Sequence, residues 1–514
     1  MALSSLAALL FARPALAHGF GQRYDLPVPL WLYLWAASAV VLLSFVLVSY
    51  FVGKEEAPRR YPRFDLLRLR AFRATLASRP FVSGLRLLSV TLFALVVASG
   101  LSGDQTPELN FAPTFVWIWW WVGLTLFVAF VGNVWPLVNP WKILFEWADA
   151  LTRRLGVEEG LELRVPYPAA WDVWPALACF AAFAWVELVF WGSATPRNIA
   201  LFALLYSSAT WAGMTFFGKE TWLRRGEAFS VLFDILARFA PTEARVKDRR
   251  VCEGCEECVP EGRSGDEPSG GGCGECVNCW GCFERAAPGE RELDLRPPGV
   301  GLLDPERFSA GRLVFVVFVL ASVTYDGLLA TPQWVALVYS LSATTGSLGM
   351  LGSAAYGTLG LVVVPLVFLG LYAGVVKLCA MLGKASFATL AGAFAYSLVP
   401  IALVYQAAHY FTYLLTEGQL IFALVSDPFG WGWDLFGTAG YEPRISVVDA
   451  AFVWYSQVAL IVGGHVFAVY LAHAAALRQM PDARLALRSQ YPMVALMILY
   501  TVLGLWILSQ PVAG

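Results

Sequence analysis

The chain has 514 residues, of which 58% are hydrophobic and 14% charged, with a formal net charge of −2 and a mean hydropathy of +0.61. Soluble domains carry about 25% charged residues, so this composition excludes an ordinary soluble fold. The near-neutral charge gives no positive field with which to hold nucleic acid.

Residues 1–17, MALSSLAALLFARPALA, form a short apolar run with a small-x-small ending, the pattern of a signal peptidase site. Its n-region lacks charge before Arg13, which leaves cleavage after Ala17 and a retained peripheral segment both open. Cleavage would make His18 the mature N-terminus, where an amine and a ring nitrogen together suit copper or zinc.

Ten apolar stretches follow that are long enough to cross a bilayer, given that roughly 20 residues are needed. They are predicted near 29–52, 86–103, 113–136, 172–192, 198–217, 312–330, 355–379, 386–414, 449–475 and 492–510. The expected fold class is therefore all-α, a polytopic transmembrane helical protein embedded in the lipid bilayer. Its parts are five helices within 18–240, a Cys-rich insertion at 241–310, and five helices within 311–514. The 21 Trp and 29 Pro fit that reading, since Trp gathers at membrane interfaces and Pro is tolerated in spanning helices.

Basic residues set the expected orientation. Nine Lys or Arg fall between Lys54 and Arg86, and Arg478, Arg484 and Arg488 cluster near the last span. By contrast, 102–112 holds Asp104 and Glu108 without a base, and 331–352 holds no charge. Placing every basic connection inside puts both termini outside the cytoplasm in a multi-pass membrane protein. Between the spans, Asn139–Glu146 can be laid over Glu227–Asp234, each following a Trp-bearing exit. Both are expected to form short helices lying in the headgroup plane, and the likeness is either the trace of a duplicated hairpin or coincidence in aromatic-rich sequence.

The insertion holds seven of the nine cysteines: Cys252, Cys255, Cys258, Cys273, Cys276, Cys279 and Cys282. Spacings of three let several thiolates converge on one ion, as zinc and iron–sulfur sites require. Cys255-x2-Cys258 with Cys276-x2-Cys279 is a four-thiolate zinc pattern. Cys273 to Cys282 approaches the bacterial ferredoxin run but is one residue short before its last Cys and lacks the following Pro. Zinc is the first expectation, an iron–sulfur cluster the alternative, and no metal the third reading. The insertion is also an expected docking point for a cytoplasmic protein partner.

Ionisable residues inside spans are costly and mark function. Glu187 in the fourth span and Asp326 in the sixth, beside Thr324 and Tyr325, lie toward the same end as Gln406 and His409 of the eighth. If these helices are neighbours, Glu187, Asp326 and His409 line one outward pocket that holds a divalent cation and activates water, with Gln406 and Tyr325 orienting a substrate. The bland readings are contacts with headgroups, with Arg197 or with one another. Helix nine adds Tyr455, Ser456 and Gln457, then His465 after Gly463-Gly464, and His473. His465 has room for a haem but no partner imidazole at its depth. No Walker loop, HExxH or GxSxG elbow occurs, so an ATP-driven pump and a serine hydrolase are not supported.

The opening His18-Gly19-Phe20-Gly21 with Asp25-Leu26-Pro27-Val28-Pro29-Leu30-Trp31 resembles a bacterial polytopic membrane family whose members are often labelled fenitrothion hydrolase. Asn139-Pro140-Trp141, Cys279-Trp280-Gly281-Cys282-Phe283 and Asp326-Gly327-Leu328-Leu329-Ala330-Thr331-Pro332 carry the same resemblance along the whole chain. It implies hydrolysis of a P–O ester, which a carboxylate–His metal site can perform, and it brings no catalytic residues with it. The readings that stand are a metal-dependent hydrolase of a small molecule, a transporter or metal-handling permease moving an ion or solute, and a redox membrane subunit with an iron–sulfur module.

Overall fold

The computed structural model describes residues 28–52, 61–76, 78–247, 249–252, 278, 280–303, 309–346, 349–444, 448–480 and 482–510. Ten helices in it are long and apolar enough to span a membrane. They are α1 (Leu30–Phe51), α2 (Arg79–Ser102), α3 (Phe111–Phe130), α4 (Ala169–Leu188), α5 (Pro196–Phe217), α6 (Ala310–Leu329), α7 (Met350–Gly383), α8 (Phe387–Leu415), α9 (Ala450–Gln479) and α10 (Ala483–Leu508). Each of the ten expected stretches falls on one of these helices. The widest shifts in boundary are at α2, which starts earlier, at α3, which ends earlier, and at α10, whose short first helix Ala483–Ser489 precedes Tyr491–Leu508; α7 is longer at both ends.

Burial sorts the helices. In the most apolar stretch of α8, 78% of residues are buried, against 6% in α2. α8 is therefore the hub, and α2 stands at the rim with Leu87 and Leu88 exposed. α1 and α7 likewise present Leu42, Leu43, Val46, Val362, Leu366 and Val367 outward. Rows of exposed aliphatic side chains on helices whose backbone bonds are satisfied internally are what lipid tails solvate. The most extensive packing joins α8 to α9, and α1 closes against α9 and α10.

One feature departs from a purely helical expectation. β1 (Phe64–Asp65), β2 (Thr242–Val246) and β3 (Arg291–Leu295) form a small antiparallel sheet in the order β1-β3-β2. Asp65, Asp294 and Glu243 lie in register across it, so three carboxylates share one row. Arginines make that row tolerable. Glu243, fully buried, pairs with the equally buried Arg296 and with Arg63 at 2.5 Å, and accepts from Tyr61 at 3.0 Å. The sheet also places the Arg-rich connection after α1 and both flanks of the Cys-rich insertion on one face of the bundle, called here the sheet face.

The short helices near that face do not both lie flat. Pro140–Arg154 buries its first turns and exposes Trp147 and Leu151, as an interfacial helix should. Ala228–Ala237 buries eight of its ten residues and packs against α3, α4 and α8. The expectation of a headgroup-plane helix is corrected there, because a helix apolar on all sides is stable only inside the bundle. The two segments still do the same job at matched positions. Asn139 caps its helix by accepting from the backbone N–H groups of Trp141 and Lys142, and Glu227 caps the other by accepting from Phe229 and Ser230. Trp141 and Phe229 stack at 6.3 Å and 18°. Glu146 pairs with Arg86 at 2.8 Å, and Asp234 with Arg312 at 3.1 Å.

A further helix, Pro332–Thr345, follows α6 in the uncharged stretch where none was expected. Thr331 caps it by accepting from the Trp334 N–H.

Candidate functional site

Four spans meet toward the face opposite the sheet. α4 ends at Leu188, leaving Glu187 in its last turn, and α6 carries Asp326 in its last turn. α8 supplies the adjacent His409 and Tyr410, whose side chains both reach Asp326. α3 winds as a π-helix over Thr114–Leu124, a rare geometry that recurs at functional sites, and it presents Trp121.

These side chains form a connected centre. The His409 Nε2 lies 2.9 Å from the Asp326 Oδ2, and the Tyr410 hydroxyl is 2.6 Å from the same oxygen. Tyr410 also reaches the Glu187 Oε1 at 3.1 Å, which accepts from the Trp121 Nε1 at 2.6 Å. Asp326 and Tyr410 are buried, and the side chains of His409 and Asp326 are 6% and 9% exposed. A phenol has one hydrogen and here faces two carboxylate oxygens, so it donates to only one at a time. The second contact becomes a hydrogen bond when that carboxyl group carries a proton of its own. The centre thus has places for more protons than its fully ionised form holds.

The expected pocket residues divide accordingly. Glu187, Asp326 and His409 come together, Glu187 through Tyr410 rather than by direct contact. Gln406 sits one turn below them on α8, 4% exposed, with neither amide atom paired among the described residues. Tyr325 turns the other way: it is fully buried in a cluster with Ala184 and Leu361 and donates to the Gly357 carbonyl at 2.8 Å. Sequence reasoning passed over Tyr410 and Trp121. Tyr410 adjoins His409, and its rotation toward both carboxylates depends on which helices flank α8.

Further inward, the His465 Nδ1 is 2.8 Å from the Ile461 carbonyl. A carbonyl only accepts, so Nδ1 carries the hydrogen, and the buried Nε2 has no partner among the described residues. The space beside Gly464 is filled by Val404, whose Cγ2 would stand 2.3 Å from a Cβ there, so the glycine accommodates helix packing and not a flat ring. The His473 nitrogens face the Gln490 Oε1 at 3.0 Å and the Val52 carbonyl at 3.1 Å, tying α9 to α10 and to the end of α1. Gln457 donates to the Ala408 carbonyl, while Tyr455 is exposed.

His18, Cys255, Cys258, Cys273, Cys276 and Cys279 lie outside the described residues, as does the side chain of Cys252. Cys282 is buried in the short helix Trp280–Arg285, its Sγ 3.8 Å from the Val251 carbonyl. That contact brings the flanks of the two cysteine groups together. Among the described residues, no group of three or more His, Cys, Asp or Glu has a geometry that could hold a metal ion.

At the end of the centre away from the sheet, the Tyr413 ring stands 6.4 Å from that of Tyr410. Beyond α8, burial and then the nearby Glu108 push the Glu417 carboxyl above its ordinary range.

The ten spans and this buried polar centre define a polytopic helical membrane protein. Compared with known proteins, the chain matches no family model, no curated protein and no solved structure.

Proposed function

We propose that this protein is a proton-coupled membrane carrier, with Glu187, Asp326, His409 and Tyr410 as its proton-exchanging centre. The observation that supports it is the phenol of Tyr410 held between carboxylates from two different spans, with an imidazole on one of them. Buried carboxylate–His–Tyr sets inside spans serve as proton relays because they bind and pass protons while shielded from bulk water. Tyr413 and Glu417 lead from the centre to the face opposite the sheet. The basic connections assign the sheet face to the cytoplasm, so this end faces outward.

A proton-exchanging centre is tested without knowing the solute. Proteoliposomes adsorbed on a solid-supported membrane and given an external pH step should show a transient charge displacement. Asp326→Asn should reduce it to the protein-free background. An unchanged transient in Asp326→Asn would rule this reading out.

The ester-hydrolase reading rests on the family resemblance and asks the same groups to hold a divalent ion, which would have to replace the direct Asp326–His409 contact. Release of p-nitrophenol from a p-nitrophenyl phosphotriester that needs added zinc and is lost in His409→Ala would displace the carrier reading. The Cys-rich insertion is proposed to bind zinc as a structural staple, in keeping with the contact between Cys282 and Val251. Elemental analysis showing zinc in a colourless protein supports that assignment. A brown protein holding iron and sulfide would replace it with the redox reading.

A further inference from the structure

The floor of the centre carries unpaired polarity. Tyr405 precedes His409 by one helical turn and stacks beneath it, the rings 6.1 Å apart and 11° from parallel. Gln406 falls between the directions of His409 and Tyr410, roughly 5.4 Å nearer the sheet face. Both residues are 4% exposed. The Tyr405 hydroxyl, the Gln406 Oε1 and the Gln406 Nε2 have no hydrogen-bond partner among the described residues.

An unpaired buried polar atom forfeits its hydration with nothing in return, and here three fall in adjacent residues. Gly327 shows that the placement is built in. A Cβ there would stand 2.7 Å from both the Tyr405 hydroxyl and the Ile507 Cγ2 and 3.6 Å from the His409 Cε1, so the glycine next to Asp326 leaves the phenol room that a larger residue would crowd. An apolar side chain at either position would have removed the penalty. Retaining a phenol and an amide there makes sense when something small fills their valences.

We infer that Tyr405 and Gln406 bind buried water, forming a hydration site on the inner side of the Asp326–His409 centre. Water is the occupant that the donor set fits. The amide offers two hydrogens and an acceptor, the phenol offers one of each, and a buried water needs two to four such partners. Tyr405 and Gln406 are themselves neutral, and the Asp326 carboxyl and His409 ring border them from above, so the pair supplies the uncharged donors and acceptors that water fits. The inference deepens the carrier reading and rests on it for its role, which is to give the centre a proton donor and acceptor on the side nearer the sheet face. Protons then enter past Tyr413, reside at Asp326 and Glu187, and leave through water at Gln406.

Pulsed X-ray hydroxyl-radical footprinting of the full-length protein in nanodiscs reads bound water directly, because radicals form where water sits. Tyr372 is the internal control: it is fully buried and its hydroxyl is bonded to the Ala391 carbonyl. Tyr405 should be labelled clearly faster than Tyr372 if it holds an ordered water. Gln406→Met, which keeps the length and removes the amide, should slow labelling at Tyr405, and the unchanged Tyr372 rate reports that the fold is intact. Labelling of Tyr405 no faster than of Tyr372 overturns the hydration site. The footprint is recorded at rest, so it separates the two readings. A positive footprint with no charge displacement after a pH step keeps the water and removes the carrier, and the reverse result removes the water alone.

Discussion

Tyr410 places its hydroxyl 2.6 Å from Asp326, and its ring spans the gap between α6 and α4. Because the same oxygen reaches Glu187 at 3.1 Å, the two carboxylates communicate through one hydrogen. Tyr410→Phe keeps the ring and removes that link. The variant should fold, since the lost hydrogen bonds are worth no more than about 2–3 kcal/mol. Its charge displacement after a pH step should fall well below wild type and retain a remnant from Asp326 and His409. A full-size response in Tyr410→Phe would remove the phenol from the relay and leave it a packing residue.

Glu243 makes a separate prediction on the sheet face. Its carboxylate and the Arg296 guanidinium are both fully buried, and Arg296 also donates to the carbonyls of Ala237, Arg238 and Ala240. Removing one partner of such a pair strands the other charge, at a cost of about 3–5 kcal/mol. Glu243→Ala should therefore loosen the sheet without unfolding the spans. Limited trypsin digestion in detergent should then cut at Arg245, which the paired strand β2 should protect in the wild-type protein. Equal resistance in both would show that the sheet does not depend on this pair.

The two capped helices differ in what their caps hold. The Asn139 side chain accepts from two backbone N–H groups and from no other donor among the described residues, and Asn139→Ala should cost about 1 kcal/mol, the usual value of a cap. Glu227, fully buried, accepts from Phe229 and Ser230 and also receives hydrogen bonds from Tyr206 and Trp135. Glu227→Ala takes the acceptor from the Phe229 and Ser230 N–H groups and from the Tyr206 hydroxyl, while the Trp135 Nε1 keeps the Ser230 Oγ, so the thermal unfolding temperature in detergent should drop several-fold more than for Asn139→Ala. Equal losses would mean that the buried donors find other partners.

The spans were legible because bilayer thickness demands about 20 apolar residues and little else carries that signature. The shared depth of Glu187, Asp326 and His409 was legible for the same reason: depth follows from counting along a helix. Rotation does not, since it depends on neighbours far away in sequence. That is why Tyr325 faces α7 and not the centre, while Tyr410, adjacent to the chosen His409, sits between the carboxylates. The π-winding that delivers Trp121 leaves no pattern in TFVWIWWWVGL, which is apolar all round. The sheet was hidden for a different reason. Its strands are two to five residues long, and its buried positions include Asp65, Glu243 and Asp294, so the alternation of apolar and polar residues that announces a strand is inverted. Eight buried residues in Ala228–Ala237 were readable as composition, but an amphipathic overlay on Asn139–Glu146 obscured them.

Asp294 gives the sheet a pH dependence whose sign follows from its neighbours. Burial pushes its carboxyl up, Glu292 adds to that, and the cross-strand Glu243 and Asp65 add more, while Arg245 at 3.5 Å works in the opposite direction. The result is a value of about 6, above the roughly 3.9 of an unfolded aspartate. Between those values the folded sheet binds a proton that the unfolded chain releases, so stability falls as pH rises through this window. Above pH 6 the charged Asp294 is a standing penalty, and below about pH 4 both states are protonated and the penalty vanishes. Asp294→Asn imitates the protonated form at every pH. It should unfold at a higher temperature than wild type at pH 8 and at nearly the same temperature at pH 4, with the advantage appearing mainly between those limits. A variant less stable than wild type at pH 8 would show that the Arg245 ion pair outweighs the carboxylate row, and that the row is held together by charge and not in spite of it.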